Sequence, residues 1–135
     1  MEFYGCINSA REGDEILFTH EGGIDVGDVD AKALRLPIPV HAKFPPRDEI
    51  KKALLVHAPA IKKDTLVDFL IRLYSVYVDL HFAYLEINPL ICLDGVNGKP
   101  PTIHYLDMAA KLDQVRVIGG YICAFPDSKC PCTGY

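Results

Sequence analysis

Two short runs rich in apolar, β-prone residues lie near the start of the chain, Glu2 to Ser9 and Glu15 to Thr19. They read as strands, and Gly13-Asp14 between them predicts a hairpin turn. The pattern stops in "HEGGIDVGDVDAK", His20 to Lys32, which carries three glycines and four acids. That stretch reads as a loop, or a loop leading into a short turn. "ALRLPIPV" alternates weakly and is interrupted by Pro37 and Pro39. Proline has no N–H to give to a ladder, so this run predicts a short or edge strand.

After Pro45-Pro46 the period lengthens. "RDEIKKALLVHA", Arg47 to Ala58, puts Ile50, Leu54 and Leu55 on one helical face. Pro59 separates it from the strongest periodic signal, Ile61 to Phe82. There Leu66, Phe69, Leu70, Leu73, Val76, Tyr77 and Leu80 recur at helical spacing, with Asp68, Arg72, Ser75 and Asp79 opposite. The aromatics in this stripe read as core packing, not as a cofactor box. "AYLEINPLICLDG", Ala83 to Gly95, then predicts a strand, "LDGVNGKPP" a turn region, and "TIHYLDMAAK", Thr102 to Lys111, a return strand. Strands, then helices, then strands predict an α/β (α+β) fold: a mixed sheet with packed helices and a C-terminal hairpin.

Glu86 and Asn88 sit inside the strand pattern, followed at once by Pro89. Alternation puts Tyr84, Glu86 and Asn88 on one face and Leu85 and Ile87 on the other. On the return strand, Tyr105 and Asp107 share one side, and His104, Leu106 and Met108 the other. A loop folded symmetrically about Asn97 and Gly98 sets Asn88 opposite Asp107, to within a slip of a residue or two. Two accounts fit these residues. An amide oxygen and a carboxylate facing each other suit Mg²⁺, a hard cation commonly held by one or two protein oxygens together with phosphate oxygens and water. Equally, Asn before Pro starts turns, and an Asp at a strand end caps neighbouring backbone. Under either account Pro89 loosens the pairing beside Asn88.

Composition narrows the setting. The 135 residues are half apolar and 24% charged, as expected for one soluble globular domain or part of one. A net charge of -4 with scattered basic residues argues against nucleic acid as a partner. No apolar run is long enough to span a bilayer, and "MEFYGCINSARE" lacks the pattern of a secretory signal, so no membrane partner and a cytoplasmic location are expected. Cys6 and Cys92 lie in strand-like apolar contexts and read as small core residues. Cys123, Cys130 and Cys132 crowd the end of the chain without the paired spacing of a zinc site. Asp25, Asp28 and Asp30 miss the spacing of a calcium loop and read as a solvated acidic segment or a helix start.

"YLEINPL", a hairpin and "YLDMAAKLD" together resemble the ATP-grasp half of the acyl-CoA synthetase (NDP-forming) superfamily. "REGDEILFTHEGGIDVGDVDAKA" and "IKKALLVHAP" are similar to the ATP-citrate lyase family within it. The succinate–CoA ligase β-subunit family, the alternative, shares the Glu-Gly-Gly but usually carries Gly-Lys after the metal Asp, where this chain has Met108-Ala109-Ala110-Lys111. The resemblance covers Glu2 to Asp113 and implies a partial ATP-grasp domain over 1–113. It implies that Asn88 and Asp107 hold Mg²⁺ on the phosphates of ATP, and that Glu86 faces the loop of a phosphohistidine. The implied enzyme is an ATP-dependent acyltransferase that makes acetyl-CoA and oxaloacetate from citrate, CoA and ATP, feeds lipid biosynthesis and forms homo-oligomers.

The same resemblance implies that the phosphate-clamping lysine and glycines, the citrate and CoA sites and the phosphohistidine lie in parts this chain lacks. His20 then reads as a structural or supporting residue, and His41, His57, His81 and His104 as surface or core residues. The chain is expected to be inactive alone, and a non-catalytic interaction module is the remaining alternative. The loop "LDGVNGKPPTIH" is longer than usual in the family. Residues 114–135 depart from its pattern and read as an irregular tail.

Overall fold

The computed structural model describes residues 1–23 and 29–113. The elements run β1 (Glu2–Ala10), β2 (Gly13–Thr19), α1 (Val29–Lys32), β3 (Leu34–Pro39), α2 (Arg47–Leu54), α3 (Ala60–Asp79), β4 (Phe82–Leu93), β5 (Thr102–Tyr105) and β6 (Met108–Leu112). They form one sheet in the order β3-β2-β1-β4-β5, with β6 also paired to β4. The expected hairpin of β1 and β2 is present, with Ala10 opposite Gly13. The proline-containing β3, expected to be a short or edge strand, ends the strand order among the described residues. Of the expected mixed sheet, the described residues supply an antiparallel part, since every pairing among them is antiparallel. The expected tail 114–135, with its three cysteines, and most of the acidic stretch around Asp25 and Asp28 lie outside the described residues.

One sheet face is covered by helices. Phe3 and Ile7 of β1, Ile16 and Phe18 of β2, Leu36 and Ile38 of β3, and Leu85 and Ile87 of β4 pack against Ile50, Leu54 and Leu55 and against Leu66 and Leu70 of α3. Burying each such side chain contributes about 1.5–3 kcal/mol. Neither α2 nor α3 has a side-chain hydrogen bond at its N-cap, Pro46 or Pro59. These helices are therefore held chiefly by their apolar faces. The other sheet face carries a smaller cluster of Tyr4, Cys6, Leu17 and Ala33, with Val29 and Tyr84 against it. Cys6 and Cys92 are both buried, as their contexts predict.

α3 differs from its expected stripe in three ways. Val76 and Leu80, expected inside, are 46% and 45% exposed, whereas Val67 is buried. Val76 lies on the flank of the stripe, and Leu80 follows the last turn, beyond the cover of the sheet. Lys62 is buried on the inner face at 6% exposure. Its ammonium donates to the Cys92 carbonyl at 2.8 Å and lies 3.1 Å from Asp94 Oδ1, which ties the start of α3 to the end of β4. Lys62 falls four residues before Leu66 and so shares its helical face.

At the other end of α3, Phe44, Tyr74, Tyr77 and Phe82 stack in series with ring centroids 4.6, 6.3 and 6.1 Å apart. Tyr74 Oη donates to Asp14 Oδ2 at 2.9 Å, and Ser9 Oγ lies 2.7 Å from both Asp14 Oδ1 and Tyr77 Oη. This network joins the β1–β2 turn to the helix. Among the described residues no buried side-chain polar atom lacks a partner.

Candidate functional site

The return strand is two strands rather than the single one its alternation predicts. β5 pairs Leu90 with Tyr105, and β6 pairs Ile87 with Met108. Between them lie Leu106 and Asp107, outside regular strand. The register on both sides of the gap is the same, so Asn88 stands opposite Asp107. Two bonds bridge the gap: Asn88 N–H donates to the Asp107 carbonyl at 3.3 Å, and Leu106 N–H to the Pro89 carbonyl at 3.2 Å. The pairing is loosened beside Pro89 but not lost.

The cause shows on the other side of β4. Phe3 pairs with Leu90 but Gly5 pairs with Ile87, so Asn88 and Pro89 together oppose Tyr4. One extra residue in β4 makes a β-bulge, which inverts the alternation beyond it. Leu85 and Ile87 face the helix layer before the bulge, and Leu90 and Cys92 after it. The Asn88–Pro89 peptide bond is cis. Because directly opposed residues share a face, Tyr105 follows Leu90 to the helix side while Asp107 follows Asn88 to the other. The expected pairing of Tyr105 with Asp107 on one side is therefore broken by the kink.

Tyr84 and Glu86 precede the kink on the open face, and Tyr84 Oη donates to Glu86 Oε2. The Lys111 ammonium lies 5.6 Å from the centre of the Tyr84 ring, within cation–π range. Burial, and then the Glu86 carboxylate beside it, push the Tyr84 phenol well above its ordinary value, so it remains a donor. Asn88 is half-buried and Asp107 exposed. Gly23 N–H donates to Asn88 Oδ1 at 2.9 Å, and Met108 N–H to Asp107 Oδ1 at 2.8 Å. The second bond is the backbone cap that the alternative account of Asp107 describes.

These contacts test whether the pair fits a cation. Asn88 Oδ1 has a second lone pair, and Asp107 keeps its Oδ2. Two oxygen donors of this hardness, one exposed, suit Mg²⁺ completed by phosphate oxygens and water. Among the described residues no group of three or more His, Cys, Asp or Glu is placed to hold a metal by itself. The donor set thus fits a shared metal–phosphate site and not a closed protein cage. Glu86 lies on the same face one alternation away, separated from the pair by Ile87 alone.

His20 is not in this group. Its ring lies 5.2 Å from that of His57, and its Nε2 3.9 Å from Glu21. Both rings line a cavity of about 150 Å³ with Thr19, Lys32 and Leu54. The role of the Glu21-Gly22-Gly23 loop against Asn88 was not evident from spacing. Two adjacent glycines in an acidic loop were the one available signal.

Comparison with known proteins shows the family. The family model of the ATP-citrate synthase ATP-grasp domain matches residues 1–124. The chain is 57% identical over 114 residues to the probable ATP-citrate synthase subunit 2 of Schizosaccharomyces pombe, covering 84% of this chain and 23% of that protein. It is 54% identical over 123 residues to the ATP-citrate synthase of Homo sapiens, covering 90% of this chain and 10% of that one. Its fold matches the ATP citrate lyase of Methanothrix soehngenii, solved in complex with citrate and coenzyme A, with a TM-score of 0.62 at 31% identity over 83% of this chain and 24% of that one. The chain therefore spans a quarter or less of the length of these relatives. It belongs to the ATP-citrate synthase family, and the β-bulged hairpin of Glu86, Asn88 and Asp107 lies within that family's ATP-grasp domain.

Proposed function

We propose that the chain contributes the Mg²⁺–phosphate edge of an ATP-grasp site, with Asn88 and Asp107 as the cation's protein ligands. The observation that carries this is the opposition of Asn88 and Asp107 at a kink where both side chains turn away from the helix-covered face. Mg²⁺, when bound to ATP, neutralises phosphate charge and polarises the phosphoryl oxygens. The chain's own part is positioning. The bulge aims Asn88 out of the sheet, the Met108 N–H holds one oxygen of Asp107, and Tyr84 holds one oxygen of Glu86. Glu86 is the residue for contact with a phosphohistidine loop supplied from elsewhere.

In the whole enzyme ATP would phosphorylate a histidine and leave as ADP, the phosphoryl group would pass to citrate, CoA would displace it as phosphate, and the citryl-CoA formed would be cleaved to acetyl-CoA and oxaloacetate. The described part of the ATP-grasp domain in this proposal lies within residues 1–113, and the family match continues to residue 124. Citrate and CoA would bind parts beyond this chain, which alone would not complete the reaction. Titration calorimetry with Mg-ATP tests the site. Asn88→Ala and Asp107→Ala should each weaken binding about tenfold or more, the usual cost of losing a contact that sets metal affinity. Unchanged affinity in both variants would sink the assignment.

A further inference from the structure

The Asn88 amide is held by a donor from outside its own hairpin. Gly23 N–H reaches Asn88 Oδ1 at 2.9 Å across 65 positions of sequence. The donor is itself anchored. Gly22 N–H donates to the Glu2 carbonyl at 3.1 Å. A Cβ at Gly22 would stand 2.3 Å from the Phe3 carbonyl oxygen, so only glycine lets the loop lie this close to β1. Gly23 follows with φ +107°, a conformation that side chains disfavour. The loop is thus clamped to β1 one residue before it meets Asn88.

This contact decides what Asn88 presents. A side-chain amide has an accepting end and a donating end. A backbone N–H only donates, so it selects the oxygen end and restrains the side-chain rotamer. One lone pair of Oδ1 is used, and the other remains for a cation. Groups that hydrogen-bond to a ligand atom orient it and tune its affinity.

We propose that the Gly23 backbone N–H is a positioning donor for Asn88, making the Glu21-Gly22-Gly23 loop and the hairpin kink one cation–phosphate unit. This rests on the assignment of Asn88 and Asp107 to the cation. It adds a residue that contributes no side chain and touches neither metal nor phosphate.

The test replaces single amides of the chain by esters, installing glycolic acid at position 23 or 22. The Gly23 ester removes the N–H facing Asn88, and the Gly22 ester removes a comparable backbone bond to Glu2. Mg-ATP is the probe, read by calorimetry, with circular dichroism as the check on folding. The Gly23 ester should weaken binding about tenfold or more, the Gly22 ester about twofold at most, and the Gly23 ester should add no loss in an Asn88→Ala background. Parent-like affinity of the Gly23 ester, or the same loss in the Asn88→Ala background, overturns the positioning role alone. Affinity unaffected by Asn88→Ala, or no Mg-ATP binding by the parent chain, overturns both this role and the cation site. Should an ester chain fail to fold, the scalar coupling between Gly23 ¹⁵N and Asn88 ¹³Cγ in the parent decides. It should persist when Mg-ATP is added, and its disappearance contradicts the proposal.

Discussion

The Lys62 ammonium has two partners of unequal weight. The Cys92 carbonyl accepts from it at 2.8 Å inside the fold, whereas Asp94, 3.1 Å away, has a largely exposed side chain. Exposed carboxylates contribute little to an ion pair, and a charged hydrogen bond made under cover contributes more. Lys62→Ala should cost about 2 kcal/mol, through the lost donor and the lost packing of its stem. Asp94→Asn should cost less than about 1 kcal/mol. Urea denaturation of the two variants checks the order, and a larger loss for Asp94→Asn would contradict it. This role was hidden in the sequence because a lysine beside Lys63 reads as part of a solvated pair. The candidate ligands were more legible: Asn88 and Asp107 stand out as polar breaks in apolar strands. Their hydrogen-bond partners do not, because Gly23 is remote in sequence and uses only its backbone.

The aromatic end of α3 sets the behaviour of an element. Burial, then the hydrogen bond to Asp14, raise the Tyr74 phenol above its ordinary value, and burial raises Tyr77. A phenol that keeps its proton longer in the folded chain stabilises the fold fully below its unfolded value near pH 10. That contribution fades as pH rises from there through the folded value. Absorbance titration should therefore show Tyr74 and Tyr84 ionising above the ordinary phenol value near pH 10, and stability should fall above about pH 10. Tyr74→Phe should flatten the fall. Both phenols titrating near pH 10 would contradict the network. Helical periodicity located α3 but not its exact inner stripe. Tertiary cover decides burial, and the sheet leaves Val76 and Leu80 uncovered. Alternation likewise located β4 but missed the inversion after Pro89, since a bulge changes phase without changing composition.

Across the whole molecule, hairpin symmetry about Asn97 and Gly98 was enough to find the register. What pattern did not show is that β5 and β6 form one broken edge, with Met108 54% exposed although its partner Ile87 is buried. The helices cover the sheet under Ile87 and stop short of β6, whose residues are all exposed. The oxygen pair is available to a ligand for a different reason: the β4 bulge turns both side chains to the face opposite the helices. Mn²⁺ in place of Mg²⁺, added with ATP to isotope-labelled chain, tests this most directly, because its unpaired electrons broaden the resonances nearest to it. Broadening should centre on the Asn88 side-chain amide and the Asp107 and Met108 backbone amides, with Gly23 next and the β1–β2 turn untouched. Broadening centred on His20 and His57, or spread evenly over the exposed acids, would contradict the account.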